Sequence, residues 1–243
     1  MPVELWTTVL WLDPDEAQDE IDALHRALLV AGADAISTTT AGAARGLCDE
    51  FSTPTHRRKL LGAIRHTCHL LAIQGGGEER FREIQEGYRA QAETLHQAGV
   101  DMLHLERCMD LQNIRAALAA IDSLATETPV VITAEIEGMG SMLDGTLPEA
   151  FMDFARAIPG AVVGLSGDRL GLLPAVEQLL AAGKPPDALF LNVIWPCGDP
   201  GRIETPESTL AALAPIARTG RIPILGIGTC PEPAYLRALA VLS

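Results

Sequence analysis

The sequence predicts a closed (β/α)8 barrel with an atypical first strand. Three observations carry that expectation. Short apolar runs alternate with longer amphipathic stretches along the whole chain. The runs are rich in Val, Ile, Leu and Thr and apolar on both faces, as strands of a parallel sheet covered by helices must be. Several helical stretches end in an Ala-Gly pair just before the next run, at Ala31-Gly32, Ala98-Gly99 and Ala182-Gly183.

The units follow in order. Val3–Trp11 is the expected first strand and Pro14–Val30 its helix. Later strands are expected at Asp34–Thr40, Leu70–Gln74, Asp101–Glu106, Val130–Ile136, Ala161–Ser166, Ala188–Ile194 and Ile222–Ile227. The helices between and after them are expected at Pro54–His69, Phe81–Ala98, Leu111–Ala125, Pro148–Ala157, Leu170–Ala182, Pro206–Arg218 and Pro231–Leu242. Ser52, Thr205 and Cys230 each sit near a proline, the pattern of a helix start. Eight βα repeats in 243 residues suit a closed barrel better than an open doubly wound sheet, although spacing does not give strand order. No linker or composition break divides residues 1–243, so one domain is expected.

The net charge of -14 argues against a nucleic-acid groove and an anionic membrane surface, both of which need clustered cations. No apolar run approaches the roughly 20 residues of a membrane-spanning helix. The five cysteines are odd in number and form no CxxC pair, so a reducing cytoplasm is the expected setting. The first residues, Met1 to Trp11, lack the basic flank of a secretion signal.

In such a barrel the chemistry lies at the C-terminal ends of the strands. Glu106, Glu135 and Glu137 reach the mouth from adjacent strands. Alternation puts Thr133, Glu135 and Glu137 on one face and pairs His104 with Glu106. Crowded carboxylates raise one another's pKa and can act as general acid and base, or bind a substrate amino group. Equally, one or two of them can simply pair with Arg107, Arg169 or Arg202. Thr38, Thr40 and Asn192 are candidate hydrogen-bonding residues. Gly226 and Gly228, like Gly75–Gly77, bring backbone close to the mouth. His104 reads first as a buried barrel histidine and second as a substrate contact. His66, Cys68 and His69 read as helical and are not expected to hold a metal. Lys59 in a helix and Lys184 before a strand both miss the strand ends, which excludes a Schiff-base lysine.

These segments resemble the homocysteine S-methyltransferase family. Ala31-Gly32-Ala33-Asp34 through Thr38-Thr39-Thr40 is similar to its "AGAD…T-N-T" strand, and Gly99-Val100-Asp101 through Leu105-Glu106 to its "GVD…IE" strand. Asp144-Gly145-Thr146 with Pro148-Glu149-Ala150-Phe151, Gly164-Leu165-Ser166, and Gly228-Thr229-Cys230-Pro231-Glu232 match further family segments. The resemblance runs from about Leu5 to Leu239. It implies methyl transfer to the sulfur of homocysteine from S-methylmethionine, betaine or a methylated corrinoid, with zinc on three cysteines activating the thiol. The chain departs from that pattern. Gly167 stands at the sixth-strand cysteine, and Gly226 and Ile227 at the adjacent pair on the eighth. Thr39 replaces the family's Asn, Trp195-Pro196-Cys197 its Tyr-Pro-Asn, and the glycine-rich first strand is not visible.

The expected function is therefore methyl transfer to a small, amino-acid-like acceptor without thiolate–zinc activation. No cofactor is expected, the methyl donor stays open, and so does a homo-oligomer or a protein partner. Cys108, Cys197 and Cys230 follow strand ends and keep a rebuilt metal site as a minor alternative. A non-catalytic barrel derived from the family is the main alternative, and a carboxylate-based lyase or hydrolase a third.

Overall fold

A computed structural model describes residues 3–8, 18–183, 189–194, 205–228 and 233–242. Eight parallel strands close into a barrel in sequential order, β1 pairing with β8. They are β1 (Glu4–Thr8), β2 (Ala35–Thr38), β3 (Lys59–Ile64), β4 (Met102–Cys108), β5 (Val130–Glu135), β6 (Val162–Gly167), β7 (Leu189–Ile194) and β8 (Ile224–Gly228). Around them lie α1 (Gln18–Val30), α2 (Ala41–Phe51), α3 (Leu71–Gln74), α4 (Gly77–Gln97), α5 (Leu111–Asp122), α6 (Pro148–Ala155), α7 (Arg169–Ala181), α8 (Pro206–Ala217) and α9 (Pro233–Leu239). No helix among the described residues is long and apolar enough to cross a membrane.

The expected first strand forms, shorter than its apolar run. The third unit differs from expectation. Lys59–Ile64, expected within a helix, is β3, and Leu70–Gln74, expected as the strand, holds the single turn α3. The helix between β2 and β3 is Ala41–Phe51, and Ser52 closes it instead of opening a new one. The physical reason is long-range. Asp110 Oδ2 accepts the Ala72 N–H at 2.6 Å and Asn113 Oδ1 the Leu71 N–H at 3.0 Å, so α5 holds this segment as a turn outside the sheet. Thr205 does cap α8 through a capping box with Ser208. Gly32 and Gly99 close their helices at φ +108° and +75°, where a side chain would be strained.

Two apolar layers hold the barrel. The outer one packs strands against helices and includes Ile36, Leu60, Leu103, Ile132, Leu165, Leu191 and Ile227. The inner one is a plug of Trp6, Ala35, Leu61, Val131, Phe190 and Ile224, with the Trp6 and Phe190 rings 5.0 Å apart. Below the plug Lys59 donates to Glu4 at 2.7 Å, so this lysine starts a strand and lies at the end opposite the mouth. Above it, the alternation that aims Leu61, Val131 and Phe190 inward aims the strand-end polar residues at the mouth.

Candidate active site at the barrel mouth

The floor of the mouth is a hydrogen-bonded row. Fully buried His104 meets Ser37 Oγ through Nδ1 at 3.3 Å and Thr133 Oγ1 through Nε2 at 3.1 Å. Burial pushes its pKa down to about 3, so the imidazole is neutral. His104 is thus the packed barrel histidine that its strand position suggested. Thr38 and Thr40 lie close together. The Thr38 hydroxyl accepts the Thr40 N–H at 3.1 Å and shapes the turn into α2, while Ser37 is the β2 residue aimed inward.

Two residues above His104, the Glu106 side chain is 1% exposed at the end of β4. Glu135 stands two residues above Thr133 on β5. The strand pairing shifts between Leu105 and Cys108, and within this bulge Arg107 adopts φ +52°. The bulge turns Arg107 toward β5. Its Nε donates to Glu135 Oε2 at 2.9 Å and its Nη2 to Oε1 at 2.5 Å, with both side chains 12% exposed. Its backbone N–H donates to Thr133 Oγ1 at 3.0 Å. Pairing of one mouth carboxylate with Arg107 is therefore realised at Glu135.

Glu137 lies just past β5, half-buried. Burial raises its carboxyl pKa, repulsion from Glu135 and Asp168 adds to the shift, and Arg107 opposes it. On β7, fully buried Asn192 donates through Nδ2 to Ser166 Oγ at 3.2 Å. Gly226 and Gly228 lie at the end of β8, buried.

Sequence reasoning missed the third strand's contribution, since that strand was misplaced. The loop after β3 brings half-buried His66 to the mouth. Burial lowers its pKa, the Arg107 cation adds to the effect, and Glu135 opposes it. The Leu60–Ile64 apolar run followed by Arg65-His66 was the available signal. Gly75 and Gly76 lie between α3 and α4, and Gly77 opens α4, in the connection that leaves the C-terminal end of β3.

A model of the homocysteine S-methyltransferase family matches residues 39–230. The chain belongs to that family. Methionine synthases of Mycobacterium leprae and Mycobacterium tuberculosis are 25% and 24% identical to it over 176 residues. The match covers 61% of this chain and 14% of theirs, so it spans only a small part of those relatives. The metallated form of the homocysteine methyltransferase MmuM from Escherichia coli superposes with a TM-score of 0.75 at 15% identity, covering 100% of this chain and 97% of that one. Its apo form gives 0.73 at 16%. A 3-hexulose-6-phosphate synthase from Salmonella typhimurium reaches 0.51 at 13% identity, covering 99% of this chain and 98% of that one. These likenesses show the fold, which many chemistries share.

Among the described residues, the positions where the resemblance expects the zinc thiolates, Gly167, Gly226 and Ile227, offer no metal-binding side chain. A Cβ built on Gly226 would lie 2.5 Å from the Phe190 ring and 2.8 Å from Asn192 Oδ1. One on Gly167 would lie 2.5 Å from the Ile136 carbonyl oxygen. Ile227 packs in the outer layer, between strands and helices. Cys108 is at a strand end, where burial, reinforced by Glu106, Glu135 and Asp110, raises its thiol pKa far above the ordinary range. Cys197 and Cys230, the other members of the alternative metal set, lie outside the described residues, as do Lys184 and Trp195-Pro196.

Proposed function

We propose that this barrel transfers a methyl group to a small, amino-acid-like acceptor without thiolate–zinc activation. The observation that carries the reading is the exchange at the mouth. Glycines hemmed in by Phe190, Asn192 and Ile136 stand where the resemblance expects zinc ligands, at a mouth that also carries Glu106 on β4, Glu135 at the end of β5 and Glu137 just past it. The family and the fold support a methyltransferase-like function. The acceptor and the mechanism belong to this proposal.

The carboxylates divide the work. Glu106, buried at the end of β4, binds and orients the acceptor's ammonium or its acidic proton. Glu135 is clasped by Arg107 and positions that cation. Glu137, whose pKa burial raises above the ordinary carboxylate value, takes the acceptor's proton. In the transfer the acceptor's nucleophilic atom bonds to the methyl carbon. The donor's leaving atom departs with the electron pair of the broken bond. Asn192 supplies an amide for orientation, and the backbone at Gly226 and Gly228 lets the acceptor approach β8. Thr38 and Thr40 act through the β2–α2 turn. The donor is of the S-methylmethionine, betaine or methylcorrinoid type, and the odd cysteine count keeps the reducing cytoplasm as the proposed setting.

The test is turnover of thiol, amine and hydroxyl acceptors with each donor, in wild type, Glu106→Gln and Glu137→Gln, together with metal content. Losses of about 10²- to 10⁴-fold are expected in the variants, the usual size of an acid–base contribution. Undiminished turnover in Glu106→Gln overturns its role, and stoichiometric zinc in the purified protein overturns the metal-free mechanism. The crowded glycines also suit a second reading, a non-catalytic barrel. Tight ligand or partner binding with no turnover of any donor–acceptor pair would select it.

A further inference from the structure

β4 and β5 fall out of step at the mouth. Leu105 pairs with Ile132 and Cys108 with Ala134, so three steps on β4 answer two on β5 and one residue is extra. The surplus falls where Arg107 takes φ +52°, a strained conformation for a side chain of its size. The bulge decides two directions. Leu103 and Leu105 point outward, into the layer between strands and helices, so unbroken alternation would send Arg107 there too and turn Cys108 inward. With the bulge, Arg107 reaches Glu135 at the mouth and Cys108 packs against the outer layer.

A side chain meets the backbone at this point. The Arg107 N–H donates to Thr133 Oγ1 at 3.0 Å. That hydroxyl has one proton to place. Leu105 O lies 3.5 Å away, at the edge of hydrogen-bonding range, and His104 Nε2 lies at 3.1 Å. His104 is fully buried and neutral, so one ring nitrogen donates and the other accepts. Nε2 accepts from Thr133, which leaves the ring proton on Nδ1 for Ser37 Oγ at 3.3 Å. Every donor then points the same way, from Arg107 through Thr133 and His104 to Ser37, across β4, β5 and β2.

We propose that His104 is a positioning residue: by accepting the Thr133 proton it fixes the hydroxyl that holds the β4 bulge, and so keeps the Arg107–Glu135 pair at the mouth. The use of that pair in methyl transfer rests on the reading above. Deprived of its acceptor, the Thr133 hydroxyl turns to Leu105 O, its lone pairs leave the Arg107 N–H, and the strained residue loses its backbone anchor. His104 thus acts on the mouth through Thr133 and Arg107, from the floor beneath them.

The test is NMR of the full chain without ligand. In wild type the His104 ring is expected to carry its proton on Nδ1, and the Arg107 N–H and Nε–H to exchange slowly with water. A proton on Nε2 overturns the proposal, and this measurement needs no variant. His104→Leu and Thr133→Val keep the volume and remove the acceptor or the hydroxyl. Each is expected to speed both Arg107 exchanges by about ten-fold, the worth of one hydrogen bond. His104→Gln offers Thr133 an amide oxygen and is expected to restore slow exchange. Thermal unfolding, measured alongside, separates positioning from support. Arg107 exchange that stays slow in His104→Leu, or that rises only in step with the other core amides, overturns the proposal. The expected exchange pattern in a protein that turns over no donor–acceptor pair upholds the positioning role and sinks the transfer reading alone.

Discussion

The two ends of the barrel use charge in opposite ways. At the N-terminal end, Asp34 and Asp101 sit just before β2 and β4 and are saturated. Asp34 accepts the Leu5 N–H at 2.7 Å and pairs with Arg58 and His56. Asp101 accepts the Leu60 N–H at 2.8 Å and pairs with Arg45 and Arg57. Each carboxylate ties its own strand to the one before it. At the mouth, one carboxylate holds a strained arginine, another has a raised pKa, and a third is buried at a strand end. Charge fastens strands at the foot, while at the mouth it is kept responsive. The difference teaches where substitution should cost stability and where it should cost function.

Acid should strain the two buried histidines, His104 in the mouth floor and His25 on α1. His104 and His25 are neutral when folded, with pKa values lowered to about 3 and about 4 from the ordinary 6.5. The unfolded chain binds their protons below about 6.5 and the folded chain does not, so stability falls as pH drops from about 6.5 toward 4. The slope approaches about 1.4 kcal/mol per pH unit for each histidine. Urea unfolding across that window checks it. His104→Gln should roughly halve the slope, and an unchanged slope would remove His104 from the account.

At the foot, Asp101→Ala leaves the Leu60 N–H and Arg45 without their carboxylate and should cost about 3 kcal/mol. Ligand binding by the folded fraction should persist. Loss of binding at unchanged stability would break the division between the ends.

Gly226→Ala should cost about 2 kcal/mol, because its methyl must displace the Phe190 ring or the Asn192 amide. Thermal unfolding reports the cost. A neutral result would show that the mouth has room for a ligand side chain after all.

The smallest stability effect belongs to Glu137→Gln, within about 0.5 kcal/mol for a half-buried side chain. Its signature is in the pH–rate profile. A raised Glu137 pKa places the acid limb of wild-type turnover above the ordinary carboxylate value, and the variant should lose that limb.

The sequence made much of this legible, for local reasons. Period-two alternation on β4, β5 and β7 aims His104, Glu106, Glu135 and Asn192 inward, whatever packs around them. Seven of the eight strands lie where their apolar runs are. The third is misplaced because the neighbouring Leu70–Gln74 run is also short and apolar and reads as the strand. Lys59–Ile64, preceded by His56-Arg57-Arg58, reads equally well as a helix, and Gly42 and Gly46 weaken α2 on paper. With that strand went the placement of His66.

What the sequence by itself determined is the barrel, its family and the carboxylates of its mouth, since periodicity and strand-end position are local properties. Only the tertiary structure decided which carboxylate is engaged and what fits beside it. A bulge between Leu105 and Cys108 swings Arg107 onto Glu135, and the Phe190 and Asn192 side chains close the space over Gly226. Both are contacts between strands, set by register and packing across the barrel rather than by any run of neighbouring residues.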